Sequence, residues 1–177
     1  MVEILRQIIQ NKNKAWDKTL NDTQEKFLVK LDLTVLNELL EKKSQLNIEN
    51  SDDFSLFKKE IERLKTQILV DGCGFFVIDG SSFKNFTRNE KKSLHIIISK
   101  ILGDLLKQNK KEELVVEIKD LGKSMSEGAR YHHTKDGGSY HTDGSHIFSR
   151  PPNYVGLLCI NPAKIGGASK FISGYTI

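Results

Sequence analysis

The chain is poor in the residues that mark secreted, membrane-bound and nucleic-acid-binding proteins. It has two cysteines, three prolines and one tryptophan in 177 residues. No stretch approaches the roughly 18 consecutive apolar residues of a membrane span. Residues 1–10 are amphipathic, and Lys12 and Lys14 follow them rather than precede them, the reverse of a secretory signal. Cys73 and Cys159 have no Cys-x-x-Cys spacing, so neither a zinc knuckle nor a redox pair is expected. Each sits in an apolar stretch and reads as a small buried hydrophobe in a reducing cytoplasm. Neither sign of charge dominates: 27 basic against 23 acidic residues gives a net charge of +4. The lysines stand beside glutamates in helical stretches, the pattern of a solvated face. No basic stripe with interleaved aromatics appears, so no nucleic-acid partner is expected. Internal repeats, low-complexity segments and linkers are also missing, and one domain over residues 1–177 is the expectation.

What is present begins with helical periodicity. Residues 1–68 read as helices packed on one side of a sheet. Asn21, Asp22 and Thr23 offer an N-cap before Phe27, Leu28 and Leu31. Leu33, Leu36, Leu39 and Leu40 recur at helical spacing, and Ser51, Asp52 and Asp53 precede Phe54, Phe57, Ile61, Leu64 and Ile68. Residues 69–177 read as the first part of a β-rich core. Gly72–Gly80 encloses Phe75, Phe76, Val77 and Ile78, a buried strand by composition. Thr87 and Glu90 form a capping box before a helix carrying Leu94, Ile97, Ile98, Ile101, Leu102 and Leu105. His95 reads as a boundary residue of that helix. Further strands are expected at 114–118, 154–160 and 169–173. The polar stretch 119–138 reads as a loop and a candidate lid.

The chemistry-bearing motif is His141-Thr142-Asp143. In an extended segment, residues two apart point to the same side, so an imidazole and a carboxylate would converge. Such a pair supplies two of the three ligands in the two-histidine, one-carboxylate triad of non-haem iron(II) oxygenases. The competing reading is a hydrogen-bonded turn at Asp143-Gly144. A zinc site using His132 or His133 with His141 and Asp143 is a further alternative and would imply a hydrolase. His146 has the wrong parity for the same strand face.

The order of residues around the pair adds to this. His141-Thr142-Asp143-Gly144-Ser145 is followed by Arg150-Pro151-Pro152, Tyr154-Val155-Gly156-Leu157-Leu158, Pro162 and Gly166-Gly167-Ala168-Ser169. This succession resembles the taurine-dioxygenase-like enzymes of the clavaminate-synthase-like group, which are Fe(II)/2-oxoglutarate oxygenases. Gly72–Gly80 resembles that family's early core strand. The resemblance implies an α+β fold, with helices on a double-stranded β-helix, or jelly roll. It implies Fe(II) held by His141 and Asp143, and 2-oxoglutarate as cosubstrate near the Ser169 hydroxyl. Asp143, as a carboxylate, points to hydroxylation rather than halogenation of a small molecule such as an amino acid or a secondary-metabolite intermediate. Tyr140, Ser145 and Arg130 are candidate substrate contacts by position. The family's second histidine and cosubstrate-binding arginine come from later in the chain, whereas here the last histidine is His146 and the last arginine Arg150. The expectation is that the jelly roll's last strands and these two groups come from beyond Ile177 or from a second polypeptide. A non-catalytic binding module of the same fold is the alternative.

Overall fold

The computed structural model describes residues 9–129, 133–135, 138–144 and 151–176. They form two compact units, one from residues up to Leu102 together with Lys170–Ile177, the other from Gly103–Ser169.

The first unit contains the regular structure. Strand β1 (Leu28–Val29) is followed by helices α1 (Leu33–Glu41) and α2 (Ser55–Leu64), then strand β2 (Val77–Ile78) and helix α3 (Arg88–Leu102). The strands pair in parallel, Leu28 opposite Val77 and Val29 opposite Ile78. Parallel pairing needs a long crossover, and α1 and α2 lie on it. The amides of Val77 and Asp79 donate to the carbonyls of Phe27 and Val29, both at 2.8 Å.

Helix α2 is the centre of the core. Phe57, Ile61 and Leu64 recur at helical spacing and are fully buried, together with Leu39 of α1, Ile97 of α3 and Phe54. Burying an aliphatic or aromatic side chain of this size contributes about 1.5–3 kcal/mol. Beyond Leu64 the helix continues as a π-type turn at Lys65–Val70. The chain then passes Gly72, where a Cβ would lie 2.8 Å from the Gln67 carbonyl and 2.9 Å from the Ile68 backbone. Only glycine fits so close an approach. Helix α3 carries the capping box read from the sequence. The Thr87 amide donates to Glu90 at 2.6 Å, and the Glu90 amide to the Thr87 hydroxyl at 3.2 Å. The helix stops at Leu102, before Gly103 and Leu105.

Two other expected caps are replaced. Residues Lys18–Asp22 and Gln24–Lys26 form 3₁₀ turns leading into β1, not a helix capped by Asn21–Thr23. Ser51–Asp53 is itself a 3₁₀ turn, and no side chain next to α2 caps it. Instead buried Glu38, from α1, accepts from the amides of Phe57 at 2.9 Å and Leu56 at 3.2 Å. A carboxylate there meets both the orphan N–H groups and the positive end of the helix. Lys42 stands 3.7 Å from Glu38 and donates to the Asp53 carbonyl at 2.7 Å.

The second unit is built differently. Among its described residues there is one short helical turn, Met125–Glu127, closed by a Ser124/Glu127 capping box. Residues 114–118 and 154–160, expected as strands, are not paired in a sheet, and neither is 169–173 in its course between the units. Among the described residues the sheet has two strands. A segment becomes a strand only when a neighbour takes its hydrogen bonds, and these segments have no such neighbour among the described residues. Cys159, expected buried in one of them, is exposed, while Cys73 is buried; both are free thiols. No described helix is long and apolar enough to cross a membrane.

Replacing Glu38 by Ala is expected to destabilise the helical unit by about 2 kcal/mol, since two amides at the start of α2 lose their acceptor. Glu38→Gln retains one acceptor and is expected to cost less. Urea unfolding followed by helical circular dichroism checks both. His95 is half-buried on α3, and burial holds its pKa below the ordinary value. The folded pKa therefore lies below the unfolded one, so stability is full above about pH 6.5 and falls as pH drops below it. His95→Gln is expected to flatten that dependence, measured as the urea midpoint across this range.

Candidate metal centre

Residues 138–144 carry the His-x-Asp motif. The segment is not a strand: Asp143 and Gly144 make a turn, with Gly144 at φ 68° in the left-handed region. The turn reading of Asp143-Gly144 and the convergence of the two side chains therefore hold together. His141 Nε2 lies 3.2 Å from Asp143 Oδ1, and both side chains are about half exposed. Two donors bonded to one metal at about 2.1 Å each, at right angles, stand about 3 Å apart. The observed separation is that of a hydrogen-bonded ion pair, and equally that of neighbouring ligands on one ion.

The other imidazole nitrogen is also fixed. His141 Nδ1 lies 2.7 Å from the Ser139 carbonyl oxygen. A carbonyl only accepts, so Nδ1 carries the proton and Nε2 is the nitrogen turned toward Asp143. Orientation of a ligating histidine by a backbone carbonyl on its far nitrogen is the usual outer-shell arrangement of metal sites. It also creates an electrostatic demand. A neutral Nε2 and an ionised carboxylate are both acceptors, and at 3.2 Å they need a positive charge between them. A proton can supply it: the Ser139 carbonyl first, and the Asp143 charge second, hold the His141 pKa above its ordinary value. A divalent cation can supply it equally. The donor set, one imidazole nitrogen and one carboxylate oxygen, suits iron(II).

Tyr140, next in the chain to His141, is exposed. Ser169 is exposed and follows Gly166 and Gly167, at φ 76° and 74°. A Cβ on Gly167 would come within 2.9 Å of the Ala163 Cβ, so the glycine turn before Ser169 is required by sterics. Arg130 and Ser145 lie outside the described residues, as do His132, His146 and Arg150. Among the described residues no third His, Cys, Asp or Glu joins the pair, His133 included. In the first unit a cleft of about 290 Å³ is lined by Trp16, Phe75, Phe171 and Tyr175. It contains none of the predicted site residues. The orienting Ser139 carbonyl was not foreseeable, because a backbone acceptor leaves no mark on residue type.

Comparison with known proteins places the chain in a class of non-haem iron, 2-oxoglutarate-dependent oxygenases. The chain belongs to the taurine catabolism dioxygenase TauD, TfdA family, whose model matches residues 38–177. Members of this family are Fe(II)/2-oxoglutarate dioxygenases with a jelly-roll fold. The FR-33289 synthase of Streptomyces rubellomurinus (strain ATCC 31215) is 25% identical over 177 residues, 94% of this chain and 50% of the relative. The chain thus spans about half the length of that curated relative. No solved structure matches the chain significantly.

Proton and metal compete for the same gap, so binding of Fe(II) or Co(II) at this site is expected to tighten as pH rises through the His141 pKa. Below that pKa the imidazolium–carboxylate pair excludes the ion. Calorimetric titration in two buffers of different ionisation enthalpy is expected to show a proton released on binding. Asp143→Asn is expected to lower the His141 pKa, read by NMR of the imidazole, and to weaken metal binding.

Proposed function

We propose that this chain carries the His141/Asp143 part of an iron(II) site in a 2-oxoglutarate-dependent oxygenase that hydroxylates a small molecule. The observation that carries this reading is the 3.2 Å approach of Nε2 and Oδ1, with Nδ1 tied to the Ser139 carbonyl. A relative named as the synthase of a compound supports a substrate from small-molecule biosynthesis, such as an amino acid or a secondary-metabolite intermediate. Bound between His141 and Asp143, iron(II) with 2-oxoglutarate supplies oxygen activation. The chain's own residues position it. His141 presents Nε2 because its other nitrogen is occupied. Asp143 provides the anionic ligand. Ser169, on its glycine turn, presents a hydroxyl that donates to a cosubstrate carboxylate. Tyr140, the residue before His141 in the chain and exposed, is the candidate substrate contact in this reading.

The third ligand and a cation for the distal cosubstrate carboxylate come, in this reading, from a second polypeptide or a longer parent chain. Localisation in the cytoplasm accords with two free thiols. The alternative, a binding module without catalysis, shares the fold and lacks iron chemistry.

Anaerobic addition of Fe(II) and 2-oxoglutarate is expected to give a weak visible charge-transfer band, absent in His141→Ala and Asp143→Ala. Ser169→Ala is expected to weaken 2-oxoglutarate binding while Fe(II) still binds. Fe(II) binding that survives both ligand substitutions places the metal elsewhere and ends this assignment. Retention of zinc with no 2-oxoglutarate dependence indicates a hydrolase instead.

A further inference from the structure

The segment that follows Ser169 is tied down by side chains. Among the described residues, the backbone–backbone bond of 170–176 is local, from the Thr176 amide to the Ser173 carbonyl at 3.1 Å. Side chains make the long-range ties. The Phe171 ring stacks on Phe75, with centroids 5.2 Å apart and planes 11° apart. The Ser173 hydroxyl donates to the Lys14 carbonyl at 2.5 Å, and the Thr176 hydroxyl to the Trp16 carbonyl at 2.7 Å. Trp16 in turn meets Phe75 edge-on at 5.6 Å, and its indole N–H donates to the Cys73 carbonyl at 2.8 Å. Ser173 is 6% exposed, whereas Phe171 and Tyr175 on either side are more than half exposed. A hydroxyl buried in so exposed a run is held by its hydrogen bonds: it donates to Lys14 and accepts from the Tyr175 amide at 3.2 Å. Lys14 and Trp16 precede residue 38, where the family match begins, so these ties join a segment outside the matched region to the residues after Ser169.

We propose that residues 14–16 are a latch for 171–176, and that Phe171 and Ser173 are positioning residues for Ser169. This rests on the reading of Ser169 as a hydrogen-bond donor to the cosubstrate and adds what holds that hydroxyl in place. Ser169 comes two residues before Phe171, so its Cα stays within about 7 Å of the Phe171 Cα whatever the chain between them does. On its other flank, Gly166 and Gly167 set a turn. A hydroxyl held from both flanks loses little freedom when it meets a carboxylate. Held from one flank only, it must be ordered at the moment of binding, and affinity falls by that cost.

Trp16 is the single tryptophan of the chain, so its fluorescence reports on the latch. In the 177-residue chain, Phe171→Ala and Ser173→Ala are expected to shift the Trp16 emission to the red and to speed amide exchange at 168–176. Phe171 is exposed and lies outside the helical core, so unchanged helical circular dichroism separates a lost latch from lost folding. Both variants are expected to weaken 2-oxoglutarate binding roughly tenfold, the factor that ordering about one residue of backbone represents. Anaerobic calorimetry with Fe(II) present measures this, and Fe(II) binding alone is expected to stay unchanged. Phe171→Tyr keeps the stack and is expected to restore emission and affinity. Unchanged emission and exchange in Phe171→Ala overturn the latch. A loosened latch with unchanged 2-oxoglutarate binding overturns the positioning role, and the reading of Ser169 stands if Ser169→Ala still weakens binding. No effect of Ser169→Ala, or no 2-oxoglutarate binding by the unsubstituted chain, overturns the reading of Ser169 and this inference with it.

Discussion

Backbone amides and carbonyls must find partners, and the two units meet that requirement in opposite ways. In the first, α1, α2 and α3 satisfy most of their groups within each helix, and Glu38 takes two of the donors left over at the start of α2. The helices are then free to bury Leu39, Phe57, Ile61, Leu64 and Ile97 against each other. In the second, residues 114–118 and 154–160 form no ladder with another described segment. What a helix does alone, a strand does only in company.

The same difference decides what could be read from residue order. The spacing of Phe57, Ile61 and Leu64, and the Thr87/Glu90 box, are local signals, and both appear as read. The cap on α2 is not local. Glu38 reaches Phe57 from 19 residues away, and nothing nearby in the sequence marks it. Strands at 154–160 and 114–118 were assigned from composition, and composition reports what a strand would need rather than whether it is met. Val77 and Ile78 show the contrast: they pair because Leu28 and Val29 stand beside them. The family assignment did not depend on pairing, because it rests on residue order over 38–177.

The candidate site was legible in one respect and hidden in another. The spacing of His141 and Asp143 predicted that their side chains converge, and they do. The predicted reason, an extended strand, is replaced by a turn in which Gly144 takes the left-handed conformation. A turn is a local device that forms without sheet partners. That is why this pair is in place where the neighbouring segments are unpaired. Ser169 has the same kind of support, two left-handed glycines, but a turn positions a residue only relative to its own flanks. Its relation to the pair is a matter of sheet register, and register is set by pairing.

The Ser139 carbonyl, first, and the Asp143 carboxylate both favour the protonated His141 imidazole and so raise its pKa. Half-exposed charges in water gain little from one another, so the pair opens at small cost. A metal held by two exposed ligands is likewise weakly held, because water fills its other positions and competes on equal terms.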